Sequence, residues 1–407
     1  MPEVSQRSAT APTSPIRRLY PLAREAKRRG KRIYHLNIGQ PDIPTPQAFL
    51  RGVREAKLDV LAYAPSQGLD GAVEALCGYY ADWGIELTPD QLLVTIGGSE
   101  AITFALTVTC DPGDQVLVPE PFYPNYHGYA GLTNVEIAPI TTSRQDGFHL
   151  PPRAEIARLI GPRTKAILFS NPGNPTGVVY GEQELAVLAE LALRHNLFLI
   201  ADEVYREFVY AGQHVSVLTL AGMEQNAILV DSISKRLSAC GARIGTFATR
   251  NREVMAAATK CAIARLSPPT FGQLGLAAFL ADPAHHEVVA EMVAEYRRRR
   301  DVVCQALGEI PGLVFRRPEG AFYIMVGLPV PDAEDFVRWM LTDFPGQETV
   351  MLAPGAGFYR TPGLGQQEAR LAYILNGSDL RRALSILEQG LATYRDTVCA
   401  QGIPARS

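Results

Sequence analysis

Lysine is scarce in this chain of 407 residues: there are six, at positions 27, 31, 57, 165, 235 and 260. Cysteine is as scarce. The six thiols, at 77, 110, 240, 261, 304 and 399, stand far apart and form no CxxC pair. That spacing carries neither a disulfide framework nor a structural zinc site, so no metal is expected, and the thiols are expected to be reduced and cytoplasmic. No apolar run approaches the ~20 residues of a membrane span. The first 30 residues are polar and basic, without the apolar stretch of a secretory leader. An excess of one charge is missing too: 39 basic residues stand against 42 acidic ones, a net charge of −3. Nothing in that balance draws a phosphate backbone, and neither nucleic acid nor membrane is expected as a partner. The run Arg297–Arg300 is basic, but Glu291, Glu295 and Asp301 around it make it a solvated or partner-facing stretch of a long helix.

What remains is a folded chain. Hydrophobic residues make up 47% and charged ones 20%, too apolar for disorder, and the length suits two or three domains. Residues 1–15 are rich in Ser, Thr, Ala and Pro and read as a flexible tail. Residues 16–30 have helical spacing and end at Gly30, a C-cap candidate. From about 90 to 250, short apolar runs (QLLVTIG, DQVLVPE, VEIAPI, KAILFSN, LFLIADE, AILVDSIS, GTFAT) alternate with helical stretches such as EQELAVLAELALRHN. That alternation predicts an α/β fold with a mostly parallel sheet and helices on both faces. Beyond 250, helical stretches at 251–265 and 270–281 and a long one containing EYRRRRDVVCQAL lead into strands mixed with helices. This is the pattern of a smaller α+β domain.

Five of the lysines fall in helical patterns, beside the basic first helix or at a strand start. Lys235 stands apart. It follows the strand AILVDSIS and precedes the small-residue turn SACGARIG. The carboxyl end of a buried strand is where ligands bind in open α/β sheets. An amine partly desolvated there is a nucleophile suited to Schiff-base chemistry; the alternative is an ordinary surface lysine. The surroundings favour chemistry. Ser232 lies three residues before it and Arg243 eight after, a hydroxyl and a guanidinium suited to clamping a phosphate. TIGGSEA at 95–101 reads as strand, double glycine and helix start, and free N–H groups at a helix N-terminus bind anions. By itself, Gly-Gly-Ser is also a common turn. Asp202 ends the apolar strand in LFLIADEVY, with Tyr205 three residues on. A buried acid needs a charged partner, such as a protonated ring nitrogen, unless it serves as a helix N-cap. In NPGNPTG at 171–177, Asn174 is a donor for a phenolic oxygen, or part of a plain turn. In PEPFYPNY at 119–126, Tyr123 stacks on a flat heterocycle or packs in the core. A phosphate, an aldehyde, a pyridinium and a phenolate on one planar ligand describe pyridoxal 5′-phosphate.

With NPGNPTG, ADEVY and SISKRLSACGARIG in that order, the sequence resembles the fold-type I, class I pyridoxal-phosphate-dependent aminotransferases of the aspartate aminotransferase superfamily, over about residues 16–395. The LNIGQPDIPTP and YAPSQGL segments resemble its prokaryotic aspartate or aromatic branch. The resemblance implies a large domain at 47–285 on a seven-stranded, mostly parallel sheet flanked by helices. It implies a small domain that joins residues 16–46 to 286–407. By the same resemblance Lys235 forms the internal aldimine and moves the proton, Asp202 pairs with the pyridinium, Asn174 and Tyr205 hydrogen-bond the phenolate oxygen, and Tyr123 stacks on the ring. Gly98, Ser99 and Glu100 are implied as backbone donors to the phosphate, completed by Ser232 and Arg243. Tyr63, in AYAPSQG, is implied to reach the phosphate of the neighbouring subunit, in a homodimer with composite active sites. Arg370, in ARLAYILN, is implied to grip the substrate α-carboxylate, with Gly39 and Asn174 beside it.

The implied reaction is a ping-pong transamination between an L-amino acid and 2-oxoglutarate, with L-aspartate the expected donor. A distal carboxylate needs a cation. Arg265, in ARLSPPT, is the first candidate and Arg360, in PGAGFYRTPG, the second. Tyr20, Phe322, Phe358 and Tyr359 are candidates for an aromatic pocket, which keeps aromatic or broad specificity open. A β-lyase, a decarboxylase or an oxidase on the same fold would share the cofactor residues, although Arg370 argues against decarboxylation. A non-catalytic regulator is the last alternative; with about 15 residues ahead of the first fold element, no DNA-binding module is expected.

Overall fold

The computed structural model describes residues 2–5 and 17–400. Most of the expected tail at 1–15 lies outside the described residues. The first strand, β1 (Arg32–His35), pairs with a distant part of the chain. The next seven are β2 (Leu92–Thr95), β3 (Gln115–Glu120), β4 (Glu136–Thr141), β5 (Thr164–Ser170), β6 (Phe198–Asp202), β7 (Ala227–Ser232) and β8 (Gly245–Ala248). They form one sheet in the order β2-β8-β7-β6-β5-β3-β4. In it β8 runs against both its neighbours, while the pairs β7–β6, β6–β5, β5–β3 and β3–β4 are parallel.

Each apolar run becomes a strand, buried on both faces except in the edge strand β4, where only Ile140 is buried, and alternate residues feed two cores. Ile167, Phe169, Leu199 and Ala201 share one core with the helices Asp70–Ala81, Glu182–His195 and Thr270–Leu280. Ala166, Leu168, Ile200 and Val230 share the other with Gly97–Thr109, Asn125–Thr133 and Arg252–Arg265. Local chemistry sets the helix ends. Glu182–His195 starts after Gly181, whose N–H donates to the Glu184 carboxylate at 3.1 Å, and stops at a left-handed Asn196. Arg252–Arg265 is capped by the Asn251 side chain, which accepts from the N–H groups of Glu253 and Val254. The N-terminal helix is shorter than its periodicity predicts. It covers Tyr20–Arg28 rather than 16–30, because Pro21 fits only the first turn of a helix.

The remaining strands are β9 (Val314–Phe315), β10 (Tyr323–Gly327), β11 (Glu348–Met351), β12 (Ala353–Pro354) and β13 (Glu368–Ala372). The order β12-β13-β10-β9 makes an antiparallel sheet. β11 pairs in parallel with β1, Arg32 opposite Glu348. Leu36 extends that pairing, donating to the Met351 carbonyl and accepting from the Ala372 N–H. The segment that follows is thereby carried to the edge of the large sheet. Helix His285–Glu309 spans two cores. Val288 and Val289 pack with the helices of the large sheet, whereas Met292, Tyr296 and Val303 pack with Tyr34, Phe336 and Val350. The handover lies inside the helix rather than at its start. The basic run within it is half buried. Arg299 reaches Asp42 and Glu295, Arg300 pairs with Asp301, and Arg297 and Arg298 stay exposed. No helix among the described residues is long and apolar enough to cross a membrane.

Candidate active site

Strands β2, β3, β5, β6 and β7 end at one edge of the large sheet, above a cavity of about 310 Å³. β7 delivers the lysine. Ile233–Arg236 is a single helical turn whose Ile233, Ser234 and Arg236 are buried. Arg236 runs beneath it to both Asp231 oxygens, at 2.7 and 2.9 Å, across the face of Tyr79. Tyr80 donates to the same carboxylate at 2.9 Å. With its neighbours pinned, Lys235 faces the cavity, and its Nζ donates to the Gly39 carbonyl at 2.9 Å.

At one end, polar groups converge. Gly98 and Ser99, in the first turn of Gly97–Thr109, line the cavity beside Ser232, Ser234 and Arg243. Gly97 has φ 74°, and a Cβ there would lie 2.4 Å from Arg243 Nη2, so the guanidinium rests directly on the glycine. Arg243 donates to the carbonyls of Cys240 and Ile96 at 3.1 and 3.3 Å. Tyr129 donates to Ser99 Oγ at 2.8 Å, and the Ser232 and Ser234 hydroxyls are 2.8 Å apart. Hydroxyls, a guanidinium and the positive end of a helix dipole make an anion site.

Across the cavity Asp202 is buried at the end of β6. Tyr126 OH donates to Oδ2 at 2.7 Å and the Val204 N–H to Oδ1 at 3.4 Å. No basic side chain forms an ion pair with it among the described residues. Burial pushes its carboxyl up to about 6; a cation docked against it would reverse that shift. Asn174, Tyr123 and Tyr205 follow β5, β3 and β6 into the same space. The hydroxyls of Tyr205 and Tyr323 are 2.8 Å apart, and burial together with Tyr323 raises the Tyr205 phenol.

Arg370, on β13, closes the cavity. It is 1% exposed and has no acidic partner among the described residues. Nη1 donates to Asn174 Oδ1 at 2.9 Å and Nη2 to the Asn37 carbonyl at 2.6 Å, while the buried Nε finds no acceptor. The rings of Tyr323 and Phe358 lie 4.3 and 5.0 Å from the guanidinium. Burial lowers its pKa. A buried cation without a counter-ion calls for an anionic ligand, and a carboxylate matches the guanidinium fork.

A family model for aminotransferase class I and II matches residues 31–385. The chain belongs to this family. The aminotransferase is 34% identical to a probable aspartate/prephenate aminotransferase of Thermus aquaticus, over 91% of this chain and 94% of that one. It is 30% identical to aromatic-amino-acid aminotransferase 2 of Thermococcus litoralis, over 95% and 98% of the two chains. Its fold matches the Thermus thermophilus aspartate aminotransferase solved with maleate at a TM-score of 0.86 and 29% identity, covering 96% of this chain and all of that one.

The aminotransferase cavity brings together Gly39, Gly98, Ser99, Tyr123, Asn174, Asp202, Tyr205, Ser232, Lys235, Arg243 and Arg370. Glu100, Arg265 and Arg360, expected at the site, do not line it. Glu100 turns back over its own helix, accepting from the Ile96 N–H at 2.8 Å and facing Arg265 at 3.3 Å. Arg265 faces Glu100 there, and its Nη2 donates to the Ser66 and Val94 carbonyls, while its buried Nη1 finds no acceptor among the described residues. Arg360 donates its backbone N–H to Glu120, and its side chain is exposed. Tyr63 is 80% exposed. The expected aromatic pocket disperses as well. Phe322 is core, Tyr359 donates to Glu368, Tyr20 is half exposed and Phe358 backs Arg370. The aromatics of the cavity are instead Tyr123, Tyr129, Tyr205 and Tyr323, with Tyr126 behind Asp202. Tyr126, the last residue of PEPFYPNY, and Tyr129 stand one helical turn apart, and that spacing was the available signal for them.

Proposed function

We propose that this aminotransferase uses pyridoxal 5′-phosphate to move the amino group of L-aspartate to 2-oxoglutarate. The observation that carries the cofactor is Lys235, set between an anion site and a buried acid that has no cationic partner among the described residues. When bound, pyridoxal phosphate supplies an electrophilic carbon for the substrate amine and a ring that takes up the electron pair left at Cα. The chain's own residues do the rest. Gly98, Ser99, Ser232 and Arg243 hold the phosphate. Asp202 would pair with the protonated ring nitrogen, which would favour its ionised form and orient the ring. Asn174 and Tyr205 donate to its phenolic oxygen, and Tyr123 covers its face. Lys235 Nζ, aimed by the Gly39 carbonyl, would take the Cα proton. Arg370 receives the substrate α-carboxylate.

The exposed Tyr63 suits a homodimer in which it reaches the partner's phosphate, and the dispersed cysteines suit a reducing cytoplasm. Aspartate is favoured by the Thermus relatives' names. Arg17, which lines the cavity, replaces Arg265 and Arg360 as the candidate for the distal carboxylate. The Thermococcus relative keeps aromatic donors as the second reading.

A half-reaction screen tests this. Single L-amino acids are added to the cofactor-loaded protein without oxo acid, with absorbance followed and products identified by mass. Aspartate is expected to aminate the cofactor and leave as oxaloacetate, and Lys235→Ala to do neither. Faster conversion of phenylalanine or tyrosine would move the specificity to aromatic donors. Loss of the substrate carboxyl or β-substituent would overturn transamination.

A further inference from the structure

Three separate parts of the chain meet at one hydroxyl group. Tyr323 lies on β10, Tyr205 follows β6, and Gly39 belongs to the segment after β1. We propose that Tyr323 is a positioning residue: its ring sets the guanidinium of Arg370 and its hydroxyl sets the hydroxyl of Tyr205, coupling the carboxylate end of the cavity to the cofactor end. This rests on the aminotransferase reading of the site.

The strand register builds in the first contact. Tyr323 faces Ala372 and Met325 faces Arg370 across β10 and β13. Tyr323 and Arg370 are therefore diagonal neighbours on one face, within reach of long side chains. The guanidinium carbon lies 4.3 Å from the ring centroid, and no acid competes for it among the described residues. Cation–π attraction is strongest when desolvated, as here. Nη1 and Nη2 are tethered to Asn174 and Asn37, and the ring against them holds the plane of the guanidinium at the cavity.

The second contact is the hydroxyl pair, 2.8 Å apart. A phenol has one proton to give. When Tyr205 gives its proton to a cofactor oxygen, its own oxygen only accepts, and Tyr323 is the donor within reach. The two hydroxyls then polarise each other. Gly39 holds the arrangement from the other side. A Cβ on it would lie 1.7 Å from the Tyr323 hydroxyl oxygen, so the glycine exists to let that hydroxyl in.

Two variants separate the two contacts. Tyr323→Phe keeps the ring and removes the hydroxyl; Tyr323→Leu removes both. Maleate binding to the protein is measured by calorimetry, and the cofactor absorbance of the loaded enzyme is titrated with pH. Tyr323→Phe is expected to bind maleate within about twofold of the parent, because the ring stays. Its absorbance midpoint is expected to move up by about half a pH unit, because Tyr205 has become a weaker donor. Tyr323→Leu is expected to lose about tenfold in maleate affinity, with the aspartate KM rising more than kcat falls. Parent-like maleate binding in Tyr323→Leu, or an unmoved midpoint in Tyr323→Phe, overturns the proposal. If Tyr323→Leu does not fold, the near-isosteric Tyr323→Phe midpoint decides alone. An unmutated protein that takes up neither pyridoxal phosphate nor maleate would defeat the underlying reading instead.

Discussion

Asp202 shows how much one residue carries. Its carboxyl titrates near 6 because it is buried, against ~3.9 in the unfolded chain. Between those values the folded state holds a proton that the unfolded state has released, so stability falls as pH rises from about 4 to 6. At pH 7 the apoprotein therefore carries a burden of about 3 kcal/mol. Asp202→Asn is expected to make the cofactor-free protein more stable at pH 7 by up to that amount. The advantage should fade below pH 4, and pyridoxal phosphate affinity should drop at least tenfold. Urea melts of apoprotein across pH check this, and a parent more stable than the variant at pH 7 would refute it. Asp202, Lys235 and Asn174 were legible because each is a polar residue at or just past the end of an apolar run, whereas Arg370, inside its strand, stood out only through the family resemblance. Tyr323 and Tyr126 were not, because an aromatic in such a run serves a core equally well. The contacts of Arg265 were not legible either, because the carbonyls it serves, on Ser66 and Val94, lie far away in sequence.

At the scale of elements, the anion site depends on how closely β8 approaches the helix Gly97–Thr109. A Cβ on Gly245 would lie 2.4 Å from the Gly97 carbonyl carbon and 2.7 Å from the Gly98 nitrogen, where no side chain can yield. Gly245→Ala is expected to destabilise the fold by about 2 kcal/mol and to weaken binding of inorganic phosphate and pyridoxal phosphate by displacing the helix start. Gly241→Ala meets nothing within 4 Å and is the control. Melting temperatures and phosphate titrations of both variants decide, and parent-like behaviour in Gly245→Ala would refute the packing argument. All seven strands of the sheet were visible as apolar runs bounded by turns. The direction of β8 was not, since GTFAT reads the same way up or down and its reversal is dictated by pairing with β2 and β7.

Across the whole molecule, His149 links distant parts. Its ring reaches Glu184 at 3.0 Å, on the large sheet's helix, and Glu319 at 3.5 Å, in the loop that leads into β10. Those two carboxylates raise it to about 10. A histidine raised in the folded state stabilises fully below its unfolded value of ~6.5, and the gain is lost as pH rises through the folded value. The ring is more than a third exposed, so screening holds the contribution to ~1 kcal/mol or less. His149→Gln is expected to melt lower than the parent at pH 7 and to match it above pH 10; an equal melting point at pH 7 would remove the link. The change from strand–helix alternation to mixed elements near residue 250 was plain in the sequence. The pairing of β1 with β11 was not, because nothing local in RIYH names a partner at Glu348. That pairing has a consequence for synthesis. A nascent chain that has emerged through β8 already owns Lys235, Asp202 and Arg243, but neither Tyr323 nor Arg370. On the proposed reading, the groups that would hold the cofactor are synthesised before the guanidinium that would receive an amino acid, and β1 must wait, unpaired, until translation nears its end.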